Sequence, residues 1–323
     1  MLEKKNRILY DKRFLEEHTD EAHPATAADI VAYLSTIGIS AHPRTVVLDI
    51  EQLIDAGIDV VVNKSRSNQY FIGTRLLQLP EMKLLLDAIQ ASRFLNAKRS
   101  RELIGKLLSL VSQQQAESLR RSLYDDHDAR PRSDLAYYTV DILLNAILNG
   151  YRVQFNYIDY TPQKKRVLRH GKRVYELSPV KLVWDSDRYY VLGYSKSHDA
   201  VATFRVDRIA SPKLMPELEA VPPPEGFDPE AYTRTVFHMY DGPLMEVTLK
   251  CKNDRMISVM DRFGEDVKTR VLDPEHFNAY VRVNVSNTFY AWVFTWAGSI
   301  RITAPKEAVE GYQAMLDAAA ESR

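Results

Sequence analysis

Apolar residues recur at helical spacing through the first part of this chain. Residues 5–17 set Ile8, Leu9, Phe14 and Leu15 among charges, which predicts a first helix. A second is predicted from Thr26, where Thr26-Ala27-Ala28-Asp29 has the form of a capping box with Asp in the acidic place. It continues through Ile30, Val31, Tyr33, Leu34 and Ile37 to a closing Gly38. A third follows Ser40, with Pro43 at an early helical position, and runs from Arg44 toward Gly57. The period then changes. Val60-Val61-Val62 and Gln69-Tyr70-Phe71-Ile72, joined by a polar turn over 63–68, predict a two-stranded ribbon with a basic tip. Helix, tight Gly-containing turn, helix and ribbon together predict a winged helix-turn-helix over 1–79, whose third helix would enter a DNA major groove. The DNA-facing candidates are His42, Arg44 and Thr45 around the start of that helix, and Lys64, Arg66 and Ser67 on the ribbon. A plain small helical domain is the competing reading, and 9 basic against 11 acidic residues over 1–80 favours it. Charge on a far face, however, need not spoil a basic one.

Beyond the ribbon the helical period returns. Residues 80–133 predict a helical spacer whose apolar stripes pack on each other or on a second subunit. The basic run Lys98-Arg99-Ser100-Arg101 reads as a solvated helix turn ahead of a DNA contact. A polar loop over 125–134 marks a boundary, and a short helix over 140–148 stops at Gly150. Strand alternation follows through 152–157 and 172–209, with a basic turn Lys164-Lys165-Arg166, and predicts a small barrel over 134–211. Pro212, Pro216, Pro222, Pro223, Pro224 and Pro229 argue against sheet pairing, so 212–235 is expected to be a linker. The remainder, 236–323, predicts strands over 245–251, 267–271, 276–285 and 299–303, with helices over 256–263 and 307–319. An aromatic segment at 289–296 lies between, and the order suits a small α+β sandwich.

Composition sharpens this without changing it. With 45% hydrophobic and 27% charged residues the chain can bury real cores, which excludes wholesale disorder and a fibrous design. No apolar run approaches the roughly 20 residues of a membrane span, and Met1-Leu2-Glu3-Lys4-Lys5-Asn6-Arg7 lacks the apolar core of a signal peptide. Cys251 is the single cysteine, so a disulfide framework is excluded and a cytoplasmic setting is expected. Basic and acidic residues balance at 43 each, yet unevenly: 151–210 hold 12 basic and 6 acidic, whereas 211–323 hold 12 and 17. The central segment therefore attracts anions. No phosphate-binding loop, dinucleotide glycine motif, zinc-protease helix or nucleophile elbow is present, and the eight histidines lack ligand spacing. No enzymatic activity, catalytic residue, metal or cofactor is expected.

The residues support a family at this point. Arg44-Thr45-Val46 with Asp49-Ile50-Glu51-Gln52-Leu53, Tyr175-Glu176-Leu177-Ser178-Pro179, Tyr189-Tyr190-Val191 and Phe204-Arg205-Val206-Asp207-Arg208-Ile209 resemble, in order and spacing, the WYL-domain transcriptional regulators of bacteria. Two departures stand out: Leu48 occupies a place where that family often has arginine, and the naming motif reads Tyr-Tyr-Val. Trp292-Val293-Phe294-Thr295-Trp296-Ala297-Gly298 with Val309 and Tyr312 resembles the family's C-terminal WCX-type extension. The resemblance implies a multidomain α+β protein: winged helix-turn-helix, helical spacer, Sm-like or SH3-like barrel and ferredoxin-like C-terminal domain. It implies a homodimer on a double-stranded DNA operator, with repression the expected action and no membrane partner. It also implies a barrel that senses a small anionic ligand or a nucleic-acid effector. Candidate ligand-binding residues are Tyr157, Arg173, Tyr175, Tyr189, Tyr190, Arg205 and Arg208, because aromatic faces stack bases and Arg forms bidentate bonds to phosphate. On a strand over 203–208, Arg205 would share a face with Thr203 and Asp207, opposite Phe204 and Val206. Arg205 could equally pair with Asp207 and the tyrosines be rim packing. A nucleic-acid-processing enzyme or a non-enzymatic adaptor using the basic barrel are the rival readings.

Overall fold

The computed structural model describes residues 6–123, 134–196, 198–236, 239–240 and 242–321. It divides into two compact units, 1–134 and 135–323. In the first, α1 (Arg7–His18), α2 (Ala27–Thr36) and α3 (Pro43–Asp55) enclose Leu15, Ile30, Leu34, Val46, Ile50 and Leu53. The capping box is present, with Thr26 Oγ1 accepting from Asp29 N and the Asp29 carboxylate accepting from Thr26 N. Gly38, at φ +81°, closes α2 in a left-handed turn where a side chain would be strained. Along α3, Val46, Asp49, Ile50 and Leu53 are buried, a stripe at i, i+3, i+4 and i+7, while Leu48 stands half exposed on the opposite side. A two-residue strand, β1 (Ala25–Thr26), pairs with β3 (Gln69–Ile72), which also pairs with β2 (Val60–Asn63). Two residues were too few for alternation to announce β1.

The helices α4 (Leu79–Ala91), α5 (Ala97–Leu108) and α6 (Gln113–Arg121) pack on one another through Met82, Leu86, Leu108, Ala116 and Leu119. Two polar ties link them to the preceding domain within this unit. Arg75 donates through Nη2 to the Thr19 carbonyl at 2.6 Å and through Nη1 to the Leu110 carbonyl at 3.5 Å, and Ser112 Oγ donates to Asp20 Oδ2 at 2.5 Å. The polar loop expected over 125–134 lies, apart from Asp134, outside the described residues.

The second unit opens with α7 (Leu135–Asn149), longer than the helix expected over 140–148, and buries Thr139, Leu143 and Ala146. A six-stranded antiparallel sheet follows: β4 (Tyr151–Tyr160), β5 (Arg166–Leu168), β6 (Val174–Asp185), β7 (Arg188–Ser195), β8 (Ala200–Arg205) and β9 (Ile209–Glu219). The strand order is β5-β4-β6-β7-β8, with β9 also on β4. Gly193 on β7 is a point of close approach, where a Cβ would meet Leu177 Cγ at 2.6 Å and the Ser178 carbonyl at 2.7 Å. The linker expected over 212–235 is corrected. Its first part belongs to β9, and Pro229–Thr235 is the short helix α8. Proline enters β9 because the register slips where it stands. Lys213 pairs with Gln154 and Ala210 with Asn156, leaving Ser211 and Pro212 together opposite Phe155. A second slip between Met215 and Glu219 takes in Pro216.

The chain ends in a four-stranded antiparallel sheet of β10 (Leu244–Lys252), β11 (Lys268–Asp273), β12 (His276–Asn284) and β13 (Ile300–Ala304), ordered β11-β12-β10-β13. Helix α9 (Met256–Phe263) connects β10 to β11, α10 (Asn287–Thr295) connects β12 to β13, and α11 (Lys306–Glu321) closes the chain. Val247, Leu249, Phe277, Ala279, Val281, Phe289 and Val293 form the core between sheet and helices. The aromatic segment is thus a helix. Its Phe289, Tyr290 and Val293 recur at three and four, and Ser286 caps it by accepting from Phe289 N.

One buried ionic group carries a measurable consequence. Arg7 on α1 chelates Asp49 on α3, Nε to Oδ2 at 2.6 Å and Nη2 to Oδ1 at 3.0 Å, beside the fully buried Asp11. Burial first, then the adjacent Asp49, push the Asp11 carboxyl up to about 8, against the opposing charge of Arg7. Unfolded, the same group titrates near about 4. Folding therefore takes up a proton between these values, so stability falls as pH rises from 4 toward 8 and levels off above. Urea unfolding of the full chain is expected to show an N-terminal transition weaker at about pH 8 than at about pH 5, by on the order of 1 kcal/mol or more. Asp11→Asn is expected to flatten that slope. An undiminished slope in the variant would place the proton elsewhere.

Candidate functional site

The sheet of the second unit gathers aromatic rings at one end of β4, β6 and β8. Phe155 and Tyr157 lie two apart on β4, so they share a face. Phe155 pairs across the ladder with Tyr175 on β6, and Phe204 on β8 pairs with Val191 on β7. Phe155 and Tyr175 stack at 5.8 Å and 12°, and Phe204 meets Phe155, Tyr157 and Tyr175 edge-on at 5.1, 5.3 and 5.3 Å. These are the separations at which aromatic pairs attract.

Cations ring this cluster. Arg169, following β5, sits 5.3 Å over the Tyr157 ring and donates through Nε to Asp159 Oδ2 at 2.8 Å. Arg173, ahead of β6, sits 5.5 Å over the Tyr175 ring, and its Nη2 is 2.8 Å from His198 Nε2. Both guanidiniums therefore lie on faces that a base could share. Arg208 carries a field that reaches Tyr157 and Asp159, and it has no hydrogen bond or ion pair among the described residues. Burial pushes the Tyr157 hydroxyl up, opposed first by the Arg205 N–H that it accepts at 3.1 Å and then by Arg208, Arg205 and Arg169. Asp159 is held low by Arg169. A planar, anionic group would meet rings and guanidiniums in one place.

Of the expected ligand residues, the structure brings Tyr157, Arg173, Tyr175 and Arg208 into this neighbourhood. Three stand differently. Tyr190 points to the other face, buried with Val236 and Met239, and burial raises its hydroxyl. Tyr189 packs edge-on against Trp184 at 4.7 Å. Arg205 grips Asp207 through Nε at 3.1 Å and Nη2 at 2.8 Å. The strand expected over 203–208 stops at Arg205, and Val206–Arg208 is a 3-10 turn, so Arg205 and Asp207 meet around a turn instead of lying along one face. Arg169 and Phe204 went unnamed among the candidates. Phe204 lay in the quoted segment, on the face opposite Arg205, while Arg169 carried no signal beyond the basic content of its segment.

In the first unit, His42 caps α3 by accepting from Arg44 N through Nδ1 at 3.3 Å. The side chain of Arg44 is exposed at that helix start and Thr45 is half-buried. Lys64, Arg66 and Ser67 are exposed on the turn between β2 and β3. Among the described residues Arg44, Lys64 and Arg66 make no side-chain hydrogen bond or ion pair, so their charges are available to phosphate.

Tyr157→Phe is expected to leave the Arg205 N–H without its acceptor and to destabilise the second unit by about 1–2 kcal/mol. Denaturant midpoints of parent and variant check this, and equal midpoints would mean that water replaces the hydroxyl at no cost.

No curated protein matches the chain. Among solved structures, Proteasome accessory factor B/C (PafBC) of Arthrobacter aurescens aligns at 17% identity and a TM-score of 0.31, over 98% of this chain and 48% of its own. The chain thus spans about half the length of that protein. A structure described as a CRISPR Cas-related protein aligns at 11% identity and a TM-score of 0.37, over 95% of this chain and 97% of its own. The WYL domain family matches residues 138–214, from within α7 into β9, and so takes in every ring and guanidinium of the cluster described above. This segment of the second unit is a WYL domain.

Proposed function

We propose that this protein is a sequence-specific DNA-binding transcriptional regulator, acting as a homodimeric repressor, whose WYL domain senses an anionic ligand of nucleotide or nucleic-acid type. The single observation that carries the reading is the ring of Arg169, Arg173 and Arg208 about Tyr157, Tyr175 and Phe204, inside the segment matched by the WYL family. The six-stranded sheet is read here as a small Sm-like barrel, and the C-terminal part of the second unit, with elements β-α-β-β-α-β, as ferredoxin-like. Helices α1 to α3 with β1 to β3 serve as a winged helix-turn-helix. Arg44 reaches bases from the start of α3, while Lys64, Arg66 and Ser67 on the ribbon meet phosphate. Ligand binding shifts operator affinity only as far as it favours one arrangement of the DNA-binding parts over another. No catalytic step enters this reading.

Footprinting on the promoter region of the protein's own gene tests the DNA-reading half. Arg44→Ala is expected to weaken specific binding by about 10- to 100-fold, the loss that one bidentate base contact accounts for. A footprint of undiminished affinity would remove α3 from the interface. For the sensing half, a mixed single-stranded oligonucleotide serves as probe. The double variant Arg173→Ala with Arg208→Ala is expected to keep basal operator binding and to lose release by the probe. Release equal to that of the parent would put the sensor elsewhere.

A further inference from the structure

A cavity lined by four cations lies in the C-terminal part of the second unit, away from the WYL rings. It encloses about 770 Å³ between α8, the end of α9 and the strands β10, β11 and β12. That volume falls within the roughly 300–1,000 Å³ of small-molecule sites. Arg234, Arg262, Lys268 and Arg282 line it, against the carboxylates of Glu246 and Asp266. Four of the 12 basic residues over 211–323 thus share one cavity, in a segment where 17 acidic residues outnumber them. Clustering of this kind works against the local charge balance and gives the cavity a field of its own sign.

Three of the cations are not consumed by the fold: among the described residues the side chains of Arg234, Lys268 and Arg282 make no hydrogen bond or ion pair. Arg262 donates through Nη2 to the Val236 carbonyl at 3.1 Å, which fixes the guanidinium at the wall. Burial lowers its pKa, against the opposing charge of Asp185. The floor is the face of the sheet turned away from the core. Tyr280 on β12 is 42% exposed there, with Thr248 of β10 and Lys268 of β11 directly beside it on the neighbouring strands. On the same face, Arg282 stands across from Glu246. A flat aromatic ring, flanked by a hydroxyl and an ammonium and overlooked by arginines, is built for a molecule that is part ring and part phosphate.

We infer that this cavity binds a small phosphorylated ligand carrying a flat ring, a nucleoside diphosphate in size and charge, with Arg282, Lys268 and Arg234 on the phosphates and Tyr280 under the ring. The site is separate from the WYL cluster and does not depend on the regulatory reading. Calorimetric titration of the full chain with ADP, GDP, inorganic pyrophosphate and adenosine tests it. At least one nucleotide is expected to bind saturably, pyrophosphate about tenfold or more weakly, and adenosine not at all. Arg282→Ala combined with Lys268→Ala is expected to weaken nucleotide and pyrophosphate together by about 100-fold. Tyr280→Ala is expected to weaken the nucleotide by about tenfold and leave pyrophosphate unchanged. These side chains are exposed, so the melting temperatures of the variants should match the parent's. Arg173→Ala with Arg208→Ala, in the WYL cluster, should remove whatever nucleotide binds there and leave a saturable nucleotide isotherm that the Arg282 and Lys268 substitutions still weaken. The proposal is overturned if neither nucleotide nor pyrophosphate binds, or if binding by the Arg173 and Arg208 variant survives addition of the Arg282 and Lys268 substitutions. It fails equally if the WYL substitutions abolish binding, or if only a single-stranded oligonucleotide or an acidic peptide is bound.

Discussion

The second unit depends on one strand that must satisfy three partners. Over ten residues β4 pairs with β5, β6 and β9, and no flat ribbon can do this. Its register against β9 slips twice, and those slips let the strand turn while the ladder continues on either side. The turn brings the far part of β4, with Phe155 and Tyr157, to where β6 and β8 present Tyr175 and Phe204. The rings therefore meet because of backbone pairing. The cations then follow the rings, Arg169 and Arg173 each lying over a tyrosine face on segments that leave or enter the sheet.

The sequence was most readable where one local rule acted alone. Helix α3 was legible because its buried stripe repeats at helical spacing and its start is marked by Pro43. The box at Thr26 was legible because capping is a matter of four adjacent residues. It was least readable where a rule met an exception elsewhere in space. Proline argues against pairing only when the partner strand demands an amide at that position, and the slips opposite β4 remove the demand. The failure at β9 was one of register, which no window of the sequence contains. Tyr190 shows the same limit. Alternation placed it on a face but could not say that Val236 and Met239, nearly fifty residues on, cover that face.

Charge tells a related story. Arg205 was open in the sequence to a ligand or to Asp207, and a 3-10 turn carries Asp207 round to meet it. Arg208, one residue past that carboxylate, keeps its charge for others. In the first unit, Arg7 and Asp49 form a pair that leaves Asp11 to hold a proton. Arg205 thus settles on a carboxylate two residues away, Arg7 on one that only the fold brings near, and the Arg208 side chain is left over by both kinds of pairing among the described residues.

The two prolines of β9 matter beyond register. Among the described residues this strand is paired on one side only, and an unpaired edge is a template on which another chain's strand could grow. Pro212 and Pro216 offer no amide hydrogen, and Ser211 bends the backbone into the left-handed region between them and the start of the strand. A foreign strand laid along β9 would find its ladder interrupted at each proline. The irregularity that disguised the strand in the sequence also guards the sheet against aggregation.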